Sequence, residues 1–253
     1  MKEIILILSL GFLSACSTLQ SLVAQPGKCK IENATLSLSG PTDAKMLACL
    51  QAAVNTTFFT APKTVIVNSE GGSVTTAIDI ADILFEFQAD LIVRGQCNSS
   101  CANYFIPVSK SVRIEEGIIV LHGSIDEGLV DRSERKEHTI ATYQKQLNFV
   151  ARYNIPKGWL LYRNAKDYEE GTFGEHIEGR PFIWENIENS KAVYPARMLA
   201  VEEAFIKSCL PGIHIYPFDD TVVQGMYNDT KLRMKLLKQG VLPTGTMRCI
   251  IAP

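Results

Sequence analysis

The apolar positions of the chain fall into short runs separated by longer helical stripes. "KTVIVNSEGGSV" (63–74) is a β-branched run that stops at a glycine pair, the pattern of a buried strand entering a turn. "TTAIDIADILFEFQ" (75–88) carries apolar residues at every third or fourth position, which predicts a helix packed on one face. "DLIVRG" (90–95) reads as a second strand and "SSCANYFIPV" (99–108) as a short helix or turn. "SVRIEEGIIVLHGS" (111–124) ends in a third buried strand. Upstream, "KIENATLSLSG" (30–40) alternates weakly and predicts one strand. "TDAKMLACLQAAV" (42–54) predicts a helix capped by Thr42 or Asp43. Downstream, residues 132–154 predict a long helix whose charged residues mark a solvated face. Beyond Pro156 the pattern weakens. It still predicts a helix at about 199–208, a strand at 213–216 and a last helix in "YNDTKLRMKLLKQG". Strand, helix, strand, helix, strand in this order predicts an α/β fold with a parallel sheet and crossover helices.

The first residues set the compartment. Lys2 precedes an apolar run from Ile4 to Leu13, too short for the roughly 20 apolar residues of a membrane-spanning helix. A charged start, a short apolar centre and small residues at a cut site describe a secretory signal peptide, residues 1–15. Leu13-Ser14-Ala15-Cys16 resembles a bacterial lipobox, which implies lipidation of Cys16. The competing reading is an ordinary signal with a chance cysteine. With Ser17 after the cysteine, the expected location is the cell envelope, anchored by lipid to the outer membrane and facing the periplasm. Residues 16–27 then form a tether and 28–253 one domain.

Composition supports that picture. Hydrophobic content of 46% and charged content of 21% are those of an ordinary globular chain. A formal net charge of −2 gives no reason to expect a nucleic-acid partner. Of 7 cysteines, setting aside Cys16 leaves an even set for an oxidising compartment. Sequence cannot choose among their pairings; proximity suggests Cys29–Cys49, Cys97–Cys101 and Cys209–Cys249. No histidine–cysteine cluster has zinc-site spacing, so neither a metal nor another cofactor is expected. His138, His176 and His214 are read as structural or exposed, and Trp159 and Trp184 as packing residues. The Asn-x-Ser/Thr triplets at Asn33, Asn55, Asn98 and Asn228 are discounted for a bacterial envelope protein.

Candidate chemistry collects on three turns. The Gly71-Gly72 turn joins a strand to a helix, and its amides suit an oxyanion. Ser99 and Ser100 follow the next strand, where a hydroxyl can face the crevice beyond the strand ends. His122 ends the third, and an imidazole there can serve a serine as general base. Each feature has a plain structural alternative: a simple turn, a helix-capping serine and a histidine satisfied by the backbone. The conjunction of all three at adjacent strand ends favours a site.

The order "VNSEGGSVTTAIDIADIL", "GQCNSSCANYF", "IIVLHGS" resembles the Clp protease proteolytic subunit and its periplasmic relatives in the Clp/crotonase superfamily. The matching residues are Asn68, Ser69, Gly71 and Gly72, then Gly95, Gln96 and Ser99, then His122. The resemblance covers residues 63 to 124 and implies a superhelical Clp/crotonase-like (ββα) fold. It implies Ser99 as nucleophile, with Ser100 the fallback if the turn is shifted by one. His122 would be the base, and the amides of Gly72 and Ser100 the oxyanion hole. The bracketing Cys97 and Cys101 resemble a secreted branch. The family's acid position falls on Ala196. Glu185, Glu188, Asp167 and Glu175 are the possible substitutes, and Lys110 or Lys191 would serve a serine–lysine variant. Three functions follow in order: a serine hydrolase of peptide or protein substrates, a non-catalytic lipoprotein binding peptide or protein partners, and an acyl-CoA enzyme. The last is weakest, because acyl-CoA chemistry belongs in the cytosol.

Overall fold

The computed structural model describes residues 26–32, 35–54, 64–121, 123–125, 130–131, 133–160, 198–217 and 241–243. The signal segment, Cys16 and the expected helix in 227–240 lie outside the described residues, as does Trp184.

The described chain is an α/β protein built on one mixed, mostly parallel sheet. In chain order its elements are β1 (Lys28–Glu32), β2 (Thr35–Ser39), α1 (Ala44–Val54), β3 (Thr64–Ser69), α2 (Val74–Glu86), β4 (Asp90–Asn98) and α3 (Ser100–Tyr104). A 3-10 turn (Ile106–Val108) leads to β5 (Ser111–Leu121), α4 (Lys136–Tyr153) and α5 (Lys157–Leu160). Then come β6 (Met198–Ala200), α6 (Glu203–Cys209), β7 (His214–Ile215) and β8 (Val241–Pro243). The sheet runs β1-β2-β3-β4-β5-β6-β8, with β7 pairing β5 beyond that path. From β2 to β5 each strand lies parallel to the one before it. For parallel strands taken in sequential order, the general rule of right-handed crossovers puts the intervening helices on one face of the sheet.

Register explains the core. Leu36, Val65, Leu91 and Val112 lie side by side, as do Leu38, Val67 and Val93, and all are buried against the helices. Each such side chain contributes about 1.5–3 kcal/mol when fully buried. The α2 stripe answers them with Ala77, Ile80, Ala81 and Leu84. The intervening residues Ser37, Ile66 and Ile92 are only half-buried. The "VIV" strand is therefore fully buried on one face, where Val65 and Val67 share a core with α1 and α2, and half-buried on the other.

Two expectations need correction. The weak alternation over 30–40 is two strands rather than one: β1 turns back on β2 in antiparallel pairing, Cys29 opposite Leu38. The helix expected at about 199–208 begins only at Glu203, because Met198–Ala200 is a strand whose Leu199 and Ala200 pair antiparallel with Leu121 and Val120.

Asp43, not Thr42, caps α1. Its Oδ1 accepts the Lys45 and Met46 amides at 3.0 and 2.9 Å, and its Oδ2 accepts the Gly27 amide at 2.9 Å. Partial burial pushes the carboxyl up, but the Gly27, Met46 and Lys45 amides outweigh it and hold its pKa below the ordinary carboxylate value. A lowered folded-state pKa means stability that is present above the unfolded value of 3.8 and lost as pH falls through the folded one. Asp43→Ala should cost about 1 kcal/mol at neutral pH. In urea melts, that deficit should shrink below pH 3.8, where the wild-type carboxyl also protonates.

Candidate active site

Ser99 stands on the turn between β4 and α3 with φ 56° and ψ −126°. A non-glycine residue with positive φ in such a turn is strained by about 1–3 kcal/mol and persists only when its surroundings hold it. Those surroundings are explicit. The Ser99 amide donates to the Val120 carbonyl of β5 at 2.9 Å, and the Ser99 carbonyl accepts from the Asn103 amide at 2.8 Å. A disulfide joins Cys97 at the end of β4 to Cys101 in α3, with 5.3 Å between the Cα atoms, and so closes around Ser99. Both cysteines are fully buried, whereas Ser99 is half-buried. Ser99 thus sits on a sharp turn between a parallel strand and a short helix.

The glycine pair packs directly on this turn. Ser69 ends β3 opposite Cys97, and its Oγ accepts the Gly71 amide at 3.1 Å. Gly71 has φ +91°, and a Cβ added there would sit 2.6 Å from both the Asn98 carbonyl oxygen and the Ser99 Cβ. Gly72 forms a parallel bridge with Thr42: the Thr42 amide donates to the Gly71 carbonyl at 2.9 Å and the Ser73 amide to the Thr42 carbonyl at 3.0 Å. That bridge uses the groups on either side of the Gly72 amide, which is thereby turned away from Thr42. The motif residues Asn68 and Gln96 also meet, the Gln96 amide donating to Asn68 Oδ1 at 3.2 Å.

His122 lies outside the described residues. β5 ends at Leu121, and the chain is described again from Gly123. Asn98 is in register with Val120, and the Asn103 Nδ2 donates to the Gly123 carbonyl at 2.9 Å. The end of β5 therefore runs alongside the Ser99 turn. A polar network that sequence reading missed holds the next residues: the Tyr104 hydroxyl donates to Gln146 Oε1 at 2.7 Å and lies 2.7 Å from Ser124 Oγ. Ser124 Oγ also bonds Gln146 Oε1, and Gln146 Nε2 donates to the Ile125 carbonyl at 2.8 Å. The available signal was Thr142, Gln146 and Phe149, a stripe at helical spacing with two polar members. Trp159, fully buried and stacked on Phe205, donates its Nε1 to the Ala102 carbonyl at 3.3 Å and so braces α3.

The remaining candidates separate clearly. Ser100 is buried, and its Oγ is 2.8 Å from Thr42 Oγ1, so this hydroxyl faces the interior rather than a substrate. The fallback nucleophile is thereby disfavoured, while the Ser100 amide remains at the start of α3. Lys110 lies at the opposite end of the sheet. β4 and β5 pair from Asp90–Ser111 to Asn98–Val120 with a register shift after Val93, and the span along β4 at about 3.3 Å per residue is roughly 26 Å. Glu185, Glu188, Asp167, Glu175, Lys191 and Ala196 lie outside the described residues, as does His176. His138 and His214 are exposed. Cys29–Cys49 and Cys97–Cys101 are paired as proximity suggests. Cys209 is disulfide-bonded, and its expected partner Cys249 lies outside the described residues.

Compared with known proteins, the chain matches no family model and no curated sequence.

Proposed function

We propose that this chain is an envelope-anchored serine hydrolase of peptide or protein substrates with a Clp/crotonase-like fold. The observation that carries the reading is the strained Ser99 turn, closed by a buried disulfide and packed against the Gly71-Gly72 turn. Strain of this kind is retained where geometry is needed for chemistry. In the proposed reaction Ser99 Oγ bonds the acyl carbon of the substrate while His122 takes the hydroxyl proton. The proton passes to the leaving amine as the acyl–nitrogen bond breaks. Water, deprotonated by the same imidazole, then releases the acid and restores Ser99. The Gly72 and Ser100 amides hold the negative oxygen of each tetrahedral intermediate. Glu185 and Glu188 remain the proposed acids.

A fluorophosphonate probe tests this. The oxidised mature chain is expected to label at Ser99, and His122→Ala should slow labelling by at least about 10³-fold. Absence of labelling in correctly disulfide-bonded protein would leave the second reading, a binding lipoprotein that keeps the turn without the reaction.

A further inference from the structure

We infer that Thr42 is the positioning residue of the oxyanion site, an inference that rests on the serine-hydrolase reading. Thr42 lies on neither motif-bearing turn. It belongs to the loop after β2, fully buried, and it contacts both residues whose amides are proposed to bind the oxyanion, though neither amide itself. Its main chain brackets Gly72 through the two hydrogen bonds of the parallel bridge, at 2.9 and 3.0 Å. Its hydroxyl lies 2.8 Å from the hydroxyl of buried Ser100, whose amide opens α3.

The fit is close as well as bonded. A Cβ on Gly72 would lie 3.0 Å from the Thr42 amide nitrogen, 3.0 Å from its Oγ1 and 3.1 Å from its carbonyl oxygen. One residue thus spans the glycine turn, through its main chain, and the first residue of α3, through its hydroxyl, elements that are far apart in sequence. Two donors converge on one oxygen only if the spacing of those elements is held, and a misplacement of about 1 Å at such a site costs on the order of 10²-fold in rate. The hydroxyl pair satisfies itself in the interior, where either group alone would be left without a partner. It therefore links the turns by a bond that has no cheap alternative in water.

The test uses the oxidised mature chain and the fluorophosphonate probe, resolved into a binding constant and a maximal labelling rate. Thr42→Val, which keeps the shape and removes the hydroxyl, should lower the maximal rate by about 10²-fold. Probe binding should stay within about twofold. Thr42→Ser, which keeps the hydroxyl, should stay within about threefold of wild type. The double variant Thr42→Val/Ser100→Ala removes both partners, so it should recover most of the thermal midpoint lost by Thr42→Val while its labelling stays slow. A merely structural threonine predicts instead that labelling recovers with the midpoint, and that result would overturn the inference. If Thr42→Val does not fold, Ser100→Ala breaks the same link, and wild-type labelling by it is equally fatal. Failure of the underlying reading looks different: wild-type chain that does not label at Ser99 at all removes the reaction and the inference together.

Discussion

Gly71→Ala is expected to cost stability and, more sharply, to suppress labelling of Ser99. Two physical terms add. The position has φ +91°, where an L side chain is strained by about 1–2 kcal/mol. The new methyl would also lie 2.6 Å from the Asn98 carbonyl oxygen and the Ser99 Cβ, and 3.0 Å from the Ser100 nitrogen. None of these is the end of a flexible side chain, so either the glycine turn or the Ser99 turn must move. Overpacking of this sort costs about 1–3 kcal/mol more. The Ser99 turn is held by the Val120 carbonyl, the Asn103 amide and the disulfide, so the glycine turn should yield. Its displacement carries the Gly72 amide away from the nucleophile, and labelling should fall by about 10²-fold or more. Gly212→Ala is the control, since a Cβ there meets nothing within 4 Å. It should leave both the urea midpoint and the labelling rate near wild type. Full labelling of a destabilised Gly71→Ala protein would show that the close contact of the two turns has no part in the reaction.

How far the sequence carried this picture depends on how local each feature is. The central strands and α1, α2 and α4 were legible because each carries its own period, and their parallel order followed from strand–helix alternation. The β1–β2 reversal was not, since its two short strands differ little in pattern from a single one. Met198–Ala200 could not be read at all: three residues have no period, and their pairing with Val120 and Leu121 spans a large sequence separation. At the site, Gly71, Gly72 and Ser99 were visible through residue types that turns demand. The Cys97–Cys101 pairing was visible through proximity. Thr42 was visible only as a candidate helix cap. The cap falls to Asp43, and the role of Thr42 depends on Ser100 and Gly72, which no local pattern connects to it. Tyr104 and Gln146 were hidden for the same reason: a buried hydroxyl and amide declare themselves only when the helices that carry them meet.

The two disulfides allow stability and reactivity to be separated. Cys97→Ala/Cys101→Ala opens a short loop, and chain entropy assigns such a bridge about 2 kcal/mol. Cys29→Ala/Cys49→Ala opens a loop with a sequence separation of 20, worth about 3 kcal/mol by the same reasoning. If disulfides here were staples and nothing more, the second pair would matter more in every assay. The positive φ of Ser99 argues otherwise. Without the bridge the turn is free to relax toward negative φ, and relief of about 1–3 kcal/mol of strain favours that change. The relaxed turn loses the aim of the hydroxyl and of the Ser100 amide together. The Cys97/Cys101 variant should therefore melt at or above the urea midpoint of the Cys29/Cys49 variant, yet label about 10²-fold more slowly. The Cys29–Cys49 bridge ties β1 to α1, away from the Ser99 turn, so its loss should leave labelling near wild type below the melting transition. Parallel losses of midpoint and labelling in the two variants would reduce the cysteines around Ser99 to a plain staple.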